Sequence, residues 1–508
     1  METFNKKILI IGIDGATWSI LDEVLEKGYM PYLKSLKENG AHGILRSTIP
    51  PLSPSAWGTI QTGRDAINNH IYEFYSFDKI TKKVKLVNSN FLKNTVWDIL
   101  SSVGKKVAVV NIPLTYPPKK VNGFIISGIM TPSLESNFTY PSDLKQKILQ
   151  KIPNYQLKYI EEKKYGNPIV FMKNFVKHRI ENVKDRTKAC LYLLHNNIID
   201  ILMVNFQAND ILQHSLWGYI ERSHKLYDEN VKGFIYSNFH KNLDFCIETL
   251  VEEYKRYANG KLLTIILSDH GFESHLKQFY LGDWLYRLNL LKIKRGSIKS
   301  IIRRKIREFI EKLTIQSFQV KILRLLKSLS NMISTVRSPD KRSTIIDTNL
   351  DLENSKVYSS GISLYGYIFI FPEGKERLQI INLLKKKLYN LEDSETGLKI
   401  VKKVFTREEI YKGDHPHLIP DLIIQPSKGY SFTGMYKGKK KLIEKITLKE
   451  SESIGKHNEE GIIIVNGSSI TKKKIEKASL RDITPTILRY FDLPLKDDLD
   501  GKVLDCLE

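Results

Sequence analysis

"LLTIILSDHG", residues 262–271, is an apolar, β-branched run that stops at Asp-His-Gly. A short continuous run of this kind reads as a strand buried on both faces, and the polar residues at its end as what the strand presents. The pattern recurs. "KKILIIGIDG" (6–15) carries Asp14 at its end, and "IDILMVNFQAND" (199–210) leads to Asp210. "KVAVVNIPL" (106–114), "DLIIQP" (421–426) and "GIIIVNG" (461–467) are further runs of the same composition. Helical spacing of apolar residues fills 30–40, 170–197 and 228–257. The fold expected is α/β: a doubly wound, mostly parallel sheet with helices on both faces and these six runs as strands. Ligands of such sheets sit beyond the carboxyl ends of the strands, where Asp14, Asp210 and Asp269 fall.

Length and composition bound the rest. The 508 residues suffice for one large α/β unit with insertions. No apolar run reaches the roughly 18–20 residues that span a bilayer, and the N-terminal run reads as a first strand, not a signal. Three scattered cysteines, Cys190, Cys246 and Cys506, offer no disulfide framework and fit a reducing, cytoplasmic address. Lys+Arg 79 against Asp+Glu 56 leaves a net charge of +23, which favours anionic partners. Much of it concentrates in 283–345, where a stretch with about fifteen basic and three acidic side chains has amphipathic helical spacing. This divides the chain into a first core part (1–282, with a cap segment near 132–180), a basic helical insertion (283–345) and a second core part (346–508). The insertion reads as a helical lid, with peripheral docking on an anionic membrane surface through 292–342 as the alternative; nucleic acid is not an expected partner.

The polar strand ends carry metal-type ligands. A lone Asp after a strand is commonly a helix cap, but here Asp210 is followed four residues on by His214, one helical turn away, and Asp269 is followed by His270. Gly271 suits a sharp turn there. His457, in "SIGKHNEEGIIIVNG", precedes another strand. Oxygen and imidazole donors without thiolates suit Zn²⁺, or Mn²⁺. Of the other histidines, His42, His178, His195, His224, His240, His275 and His417 read as surface or hydrogen-bonded structural residues, with His70 and His415 between the two classes. A nucleophile is supplied by "TIPPLSPSAWGTIQTGRD" (48–65), where Ser53 and Ser55 both stand near a helix start that would aim N–H groups at an anion. Spacing alone does not choose between them.

Taken together, "IGIDGATW", "MPYLKSLKENGAHGILRSTIPPLSPSAW…TG", "NDILQH", "SDHG", "GKHNEEGIII" and "RDITPTIL…DLDG" resemble, in order, the alkaline phosphatase superfamily, most closely its type I phosphodiesterase/nucleotide pyrophosphatase branch. The resemblance covers 7–75, 200–272 and 345–505. It implies the same doubly wound fold. It also implies a phosphoric-ester hydrolase acting on a small anionic phosphate ester, with a serine nucleophile and two divalent ions. The nucleophile of the branch lies nine residues before the Thr of a Thr-Gly pair, and counting back from Thr62 selects Ser53. Asp14, Ser53, Asp269 and His270 resemble the ligands of one ion, and Asp210, His214 and His457 those of the other. A phosphomutase or phosphotransferase on the same site is the alternative, and a non-catalytic anion-binding or membrane-binding protein a third. Two departures bear on substrate. Ala56 stands where nucleotide pyrophosphatases have an asparagine, and Trp57, expected in the core, where sulfatases have an arginine. Arg64 reads equally as a phosphate contact or a surface ion pair.

Overall fold

Alternate residues of a buried strand face opposite ways, so a run such as Lys7–Ile13 must be covered on both sides. The computed structural model, which describes residues 6–157, 168–258, 262–294, 350–360, 364–411, 413–447 and 453–507, shows how. Leu9, Ile11 and Ile13 pack with the helices Pro31–Glu38, Pro168–Asn196, Ala208–Ile220 and Lys241–Tyr257. Ile8 and Ile10 pack on the other face with Trp57 and Ile60 of the helix Ser53–Thr62 and with Ile483 and Ile487 of the helix Ile483–Tyr490. Each fully buried aliphatic side chain of this kind contributes about 1.5–3 kcal/mol.

Among the described residues the central sheet has nine strands. From edge to edge they are Lys474–Ser479, Ala41–Arg46, Glu460–Asn466, Leu262–Leu267, Lys7–Ile13, Ile201–Phe206, Val107–Val110, Gly123–Ile126 and Thr139–Tyr140. Lys7–Ile13 pairs in parallel with both Ile201–Phe206 and Leu262–Leu267, in registers that put Gly12 level with Asn205 and Leu267. The segments leading to Asp14, Asp210 and Asp269 therefore emerge side by side.

Two of the expected strands lie differently. Glu460–Asn466 joins the central sheet but runs antiparallel to both its neighbours. Leu422–Pro426 belongs to a separate four-stranded antiparallel sheet, paired with Gly366–Ile370 and Val401–Thr406. It is buried on both faces because this accessory sheet has its own apolar core, with Tyr367, Phe369, Leu384 and Ile424. Of the expected cap near 132–180, residues 158–167 lie outside the described residues. Its described part supplies the edge strand Thr139–Tyr140 and the helix Leu144–Lys151, whose Leu144 and Ile148 join the main core. Of the basic insertion expected over 283–345, residues 295–345 lie outside the described residues, while Trp284, Leu285, Leu290 and Leu291 at its start pack into the accessory core. No helix of the described residues is long and apolar enough to cross a membrane.

Trp57 is the largest fully buried side chain, and its ring packs so closely on the central strand that a Cβ on Gly12 would meet it at 2.6 Å. Trp57→Ala is expected to cost about 3–5 kcal/mol through the cavity left beneath Gly12. The loss should appear as a lowered urea midpoint in fluorescence-monitored unfolding.

Candidate metal centre

Four separate stretches of chain meet beyond the carboxyl ends of the central strands. Asp14 directly follows the first strand, and Asp269-His270 follow Leu262–Leu267 by one residue. Asp210 and His214 lie on the helix Ala208–Ile220, one turn apart as their spacing predicts. His457 arrives on the short strand Gly455–Asn458, which pairs antiparallel with Gly271–Ser274 and sets Phe272 opposite His457. Gly455 makes this approach feasible: a Cβ there would meet the Gln213 carbonyl oxygen at 2.6 Å and Trp217 Cβ at 2.8 Å, both on the helix that bears His214.

The seven residues singled out in the sequence converge. His270 Nε2 lies 3.4 Å from Asp269 Oδ2, 3.6 Å from Asp14 Oδ1 and 3.4 Å from Ser53 Oγ. Asp210 Oδ1 lies 3.1 Å from His457 Nε2 and 3.3 Å from His214 Nε2, and these two nitrogens are 2.9 Å apart. The two groups adjoin, with His270 Nε2 4.0 Å from Asp210 Oδ1 and the rings of His270 and His457 stacked at 3.5 Å. Asp14, Asp269 and His270 are wholly buried, and Ser53, Asp210 and His457 nearly so.

Ser53 is the first residue of its helix. Ser55, the other candidate, points away: its hydroxyl lies 2.8 Å from the Leu52 carbonyl oxygen and 3.0 Å from that of Pro50. Trp57 and Ala56 are core residues, and Arg64 is ion-paired with Asp498. Gly271 serves a different end from a turn. A Cβ there would meet the Glu460 carbonyl oxygen at 2.1 Å, so its role is close backbone approach.

Hydrogen bonding favours cation binding. Asn205 donates to Asp14 Oδ2 (2.7 Å) and the Gly15 amide to Asp269 Oδ1 (3.2 Å). Asp14 Oδ1, Asp269 Oδ2 and Asp210 Oδ1 are buried without a hydrogen-bond partner, a costly state unless something positive is supplied. The imidazoles match. His270 Nδ1 faces the Gly271 carbonyl (3.1 Å), His457 Nδ1 that of Pro51 (2.9 Å) and His214 Nδ1 that of Gly455 (3.1 Å). A carbonyl only accepts, so each Nδ1 carries a proton and each Nε2 is the position a cation can take once any proton there is displaced, the arrangement of ligating histidines. Asp14, Asp269 and His270, and likewise Asp210, His270 and His457, offer donor atoms all within 4.8 Å of one another. This set of oxygen and imidazole donors fits divalent cations.

Sequence reasoning missed the supports. Asn205, Asn209 (to the Asp14 carbonyl, 2.9 Å), Gln213 (to that of Gly15, 2.6 Å) and Ser47 (to that of Asp269, 2.6 Å) hold the ligand-bearing turns. Asn205, a polar residue within the apolar "ILMVNF", was the readable signal.

The carboxyls titrate far from their usual range. Burial, then the charges of Asp269 and Asp210, holds Asp14 well above it, and burial with Asp210 pushes Asp269 up to about 7. Burial would raise Asp210 too, but His214 and His457 outweigh it and hold that carboxyl well below. His270 is held well below the usual imidazole value by burial and by His457.

The profile of the type I phosphodiesterase / nucleotide pyrophosphatase family matches residues 8–458, and the chain is a member of that family. No curated protein sequence matches the chain. Among solved structures, human ectonucleotide pyrophosphatase/phosphodiesterase 5 is similar in fold at 13% identity and TM-score 0.53, over 99% of this chain and 100% of that one. An inactive variant of the murine protein, in complex with AMP, matches at 13% identity and TM-score 0.52 with the same coverage. Phosphonoacetate hydrolase from Sinorhizobium meliloti 1021, in complex with phosphonoacetate, matches at 14% identity and TM-score 0.54 over 94% of each chain.

Between its unfolded value of 3.8 and its folded value of about 7, Asp269 binds more protons in the folded, metal-free protein, so this group makes the fold less stable as pH rises through that window. A cation competes with those protons. The rise in thermal midpoint on adding Zn²⁺ to chelator-treated protein is therefore expected to be larger at pH 8 than at pH 5; equal rises would contradict the assignment.

Proposed function

We propose that the protein hydrolyses phosphoric esters, of diester or pyrophosphate type, through a phosphoserine at Ser53 with two divalent ions. Asp14, Ser53, Asp269 and His270 would hold one ion, and Asp210, His214 and His457 the other. The observation that carries this reading is the hydroxyl of Ser53 at 3.4 Å from His270 Nε2, beside three buried carboxylates each with an unpartnered oxygen. Zn²⁺ suits the three imidazoles and three carboxylates best, with Mn²⁺ second.

Bound divalent ions would lower the proton affinity of a hydroxyl and neutralise phosphoryl oxygens. The chain's own groups do the rest. Ser53 Oγ gives up its proton and attacks phosphorus in line, the bond to the leaving alkoxide or phosphate breaks and that group takes up a proton, and water then releases the remaining phosphate monoester from the serine. The positive end of the Ser53–Thr62 dipole favours the anionic phosphoryl group at that position. Asn205 and the Gly15 amide hold the outer carboxylate oxygens, so Asp14 and Asp269 cannot swing away. Ala56, buried in the core, lacks the side-chain amide that nucleotide pyrophosphatases carry at this place, so specificity for nucleotides is not part of this reading. Three buried, unpaired cysteines fit a reducing compartment, which we take to be the cytoplasm.

Zn²⁺-loaded protein should hydrolyse bis(p-nitrophenyl) phosphate, and Ser53→Ala should lose at least about 10³-fold in kcat/KM. Acid quenching during turnover should leave a p-nitrophenyl phosphoryl group on the peptide containing Ser53. Turnover retained by Ser53→Ala would sink the assignment. Transfer to an added alcohol in place of phosphate release would make the enzyme a transferase.

A further inference from the structure

His214 differs from its two partner imidazoles in what stands behind it. Besides the Gly455 carbonyl, its Nδ1 lies 2.6 Å from Ser453 Oγ. The Ser453 hydroxyl gives its own proton to the Gly455 carbonyl, so it accepts from the imidazole and passes a hydrogen bond on. The same short stretch is tied to the helix through its backbone, the Ile454 amide donating to the His214 carbonyl at 3.0 Å.

Ser453 is itself held from the far side. Its carbonyl accepts from His275 Nδ1 at 2.9 Å, which leaves His275 Nε2 to accept from Ser431 Oγ at 2.7 Å. Burial, with Lys456 nearby, lowers the His275 pKa to about 4, so near neutral pH the ring is uncharged and this direction of donation is kept. Ser431 lies on the strand Tyr430–Thr433, which pairs in parallel with Lys277–Tyr280. A hydrogen-bonded chain thus runs from this small three-stranded sheet, distinct from the accessory one, through Ser431, His275 and Ser453 to an imidazole of the ion cluster.

We propose that Ser453 is a positioning residue for His214, with His275 and Ser431 as its brace. It rests on the reading that His214 holds a divalent ion. Ser453 fixes the Nδ1–H tautomer and the ring plane, so that Nε2 faces Asp210 and His457. Support of this kind typically accounts for 10–100-fold in metal affinity. Since no such chain reaches Asp14, Asp269 or His270 among the described residues, the effect falls on one ion site.

The test is competition for Zn²⁺ between the metal-free full chain and a chromophoric chelator, with metal content checked by elemental analysis. Ser453→Ala should weaken one of two sites about 10–100-fold and leave the other unchanged. Ser453→Thr, which keeps the hydroxyl, should restore it. His275→Phe should weaken the same site by a smaller factor. Thermal melts of the metal-free variants identify any that fail to fold. Wild-type affinities in Ser453→Ala, equal weakening of both sites, or no rescue by Ser453→Thr would each overturn the proposal. A wild-type chain that takes up no Zn²⁺ would overturn the two-ion reading, and this proposal with it.

Discussion

Repulsion among three buried carboxylates governs this structure. Asp14, Asp210 and Asp269 share a buried space, where the charges of Asp269 and Asp210 raise the proton affinity of Asp14 and that of Asp210 raises the proton affinity of Asp269. A fold tolerates this only if something offsets it. Part of the offset is internal, in the imidazoles beside Asp210 and the donors on the outer oxygens of Asp14 and Asp269. The remaining inner oxygens leave a cost of folding that a bound cation would remove.

The scaffold serves that arrangement by fixing backbone first. Three adjacent parallel strands, in a register that levels Gly12 with Asn205 and Leu267, bring the acidic segments together without long side-chain excursions. The short antiparallel pair of Gly271–Ser274 and Gly455–Asn458 then delivers the last imidazole. Trp57, beneath Gly12, joins the helix of Ser53 to the central strand, so the hydroxyl and the carboxylates rest on one packed layer.

Much of this was legible in the sequence because its signals are local. A doubly buried strand and the acidic residue at its end are adjacent in the chain, so Asp14 and Asp269 could be read directly, and Asp210 with His214 from one helical turn. Direction and sheet membership are not local properties. "GIIIVNG" carries no mark of its antiparallel course, and "DLIIQP" looks the same whether the second layer above it belongs to the main core or to the accessory one. Ser53 and Ser55 could not be separated by chemistry, since both hydroxyls sit in one helical turn and only the carbonyls of Pro50 and Leu52 make Ser55 inward-facing. Ser453 and His275 were beyond reach for the same reason: serine near a histidine means nothing until the fold brings residue 214 beside it.

The strand order has a consequence for how such a chain emerges from the ribosome. Glu460–Asn466 is wedged between Ala41–Arg46 and Leu262–Leu267, and the other neighbour of Ala41–Arg46 is Lys474–Ser479. Until those late segments are synthesised, an early strand has no ladder to join and Leu262–Leu267 presents an open margin. The sheet therefore keeps an unpaired margin until late in synthesis. His457 comes just ahead of the strand that closes the gap, so the cluster gains its last imidazole almost as the sheet is sealed.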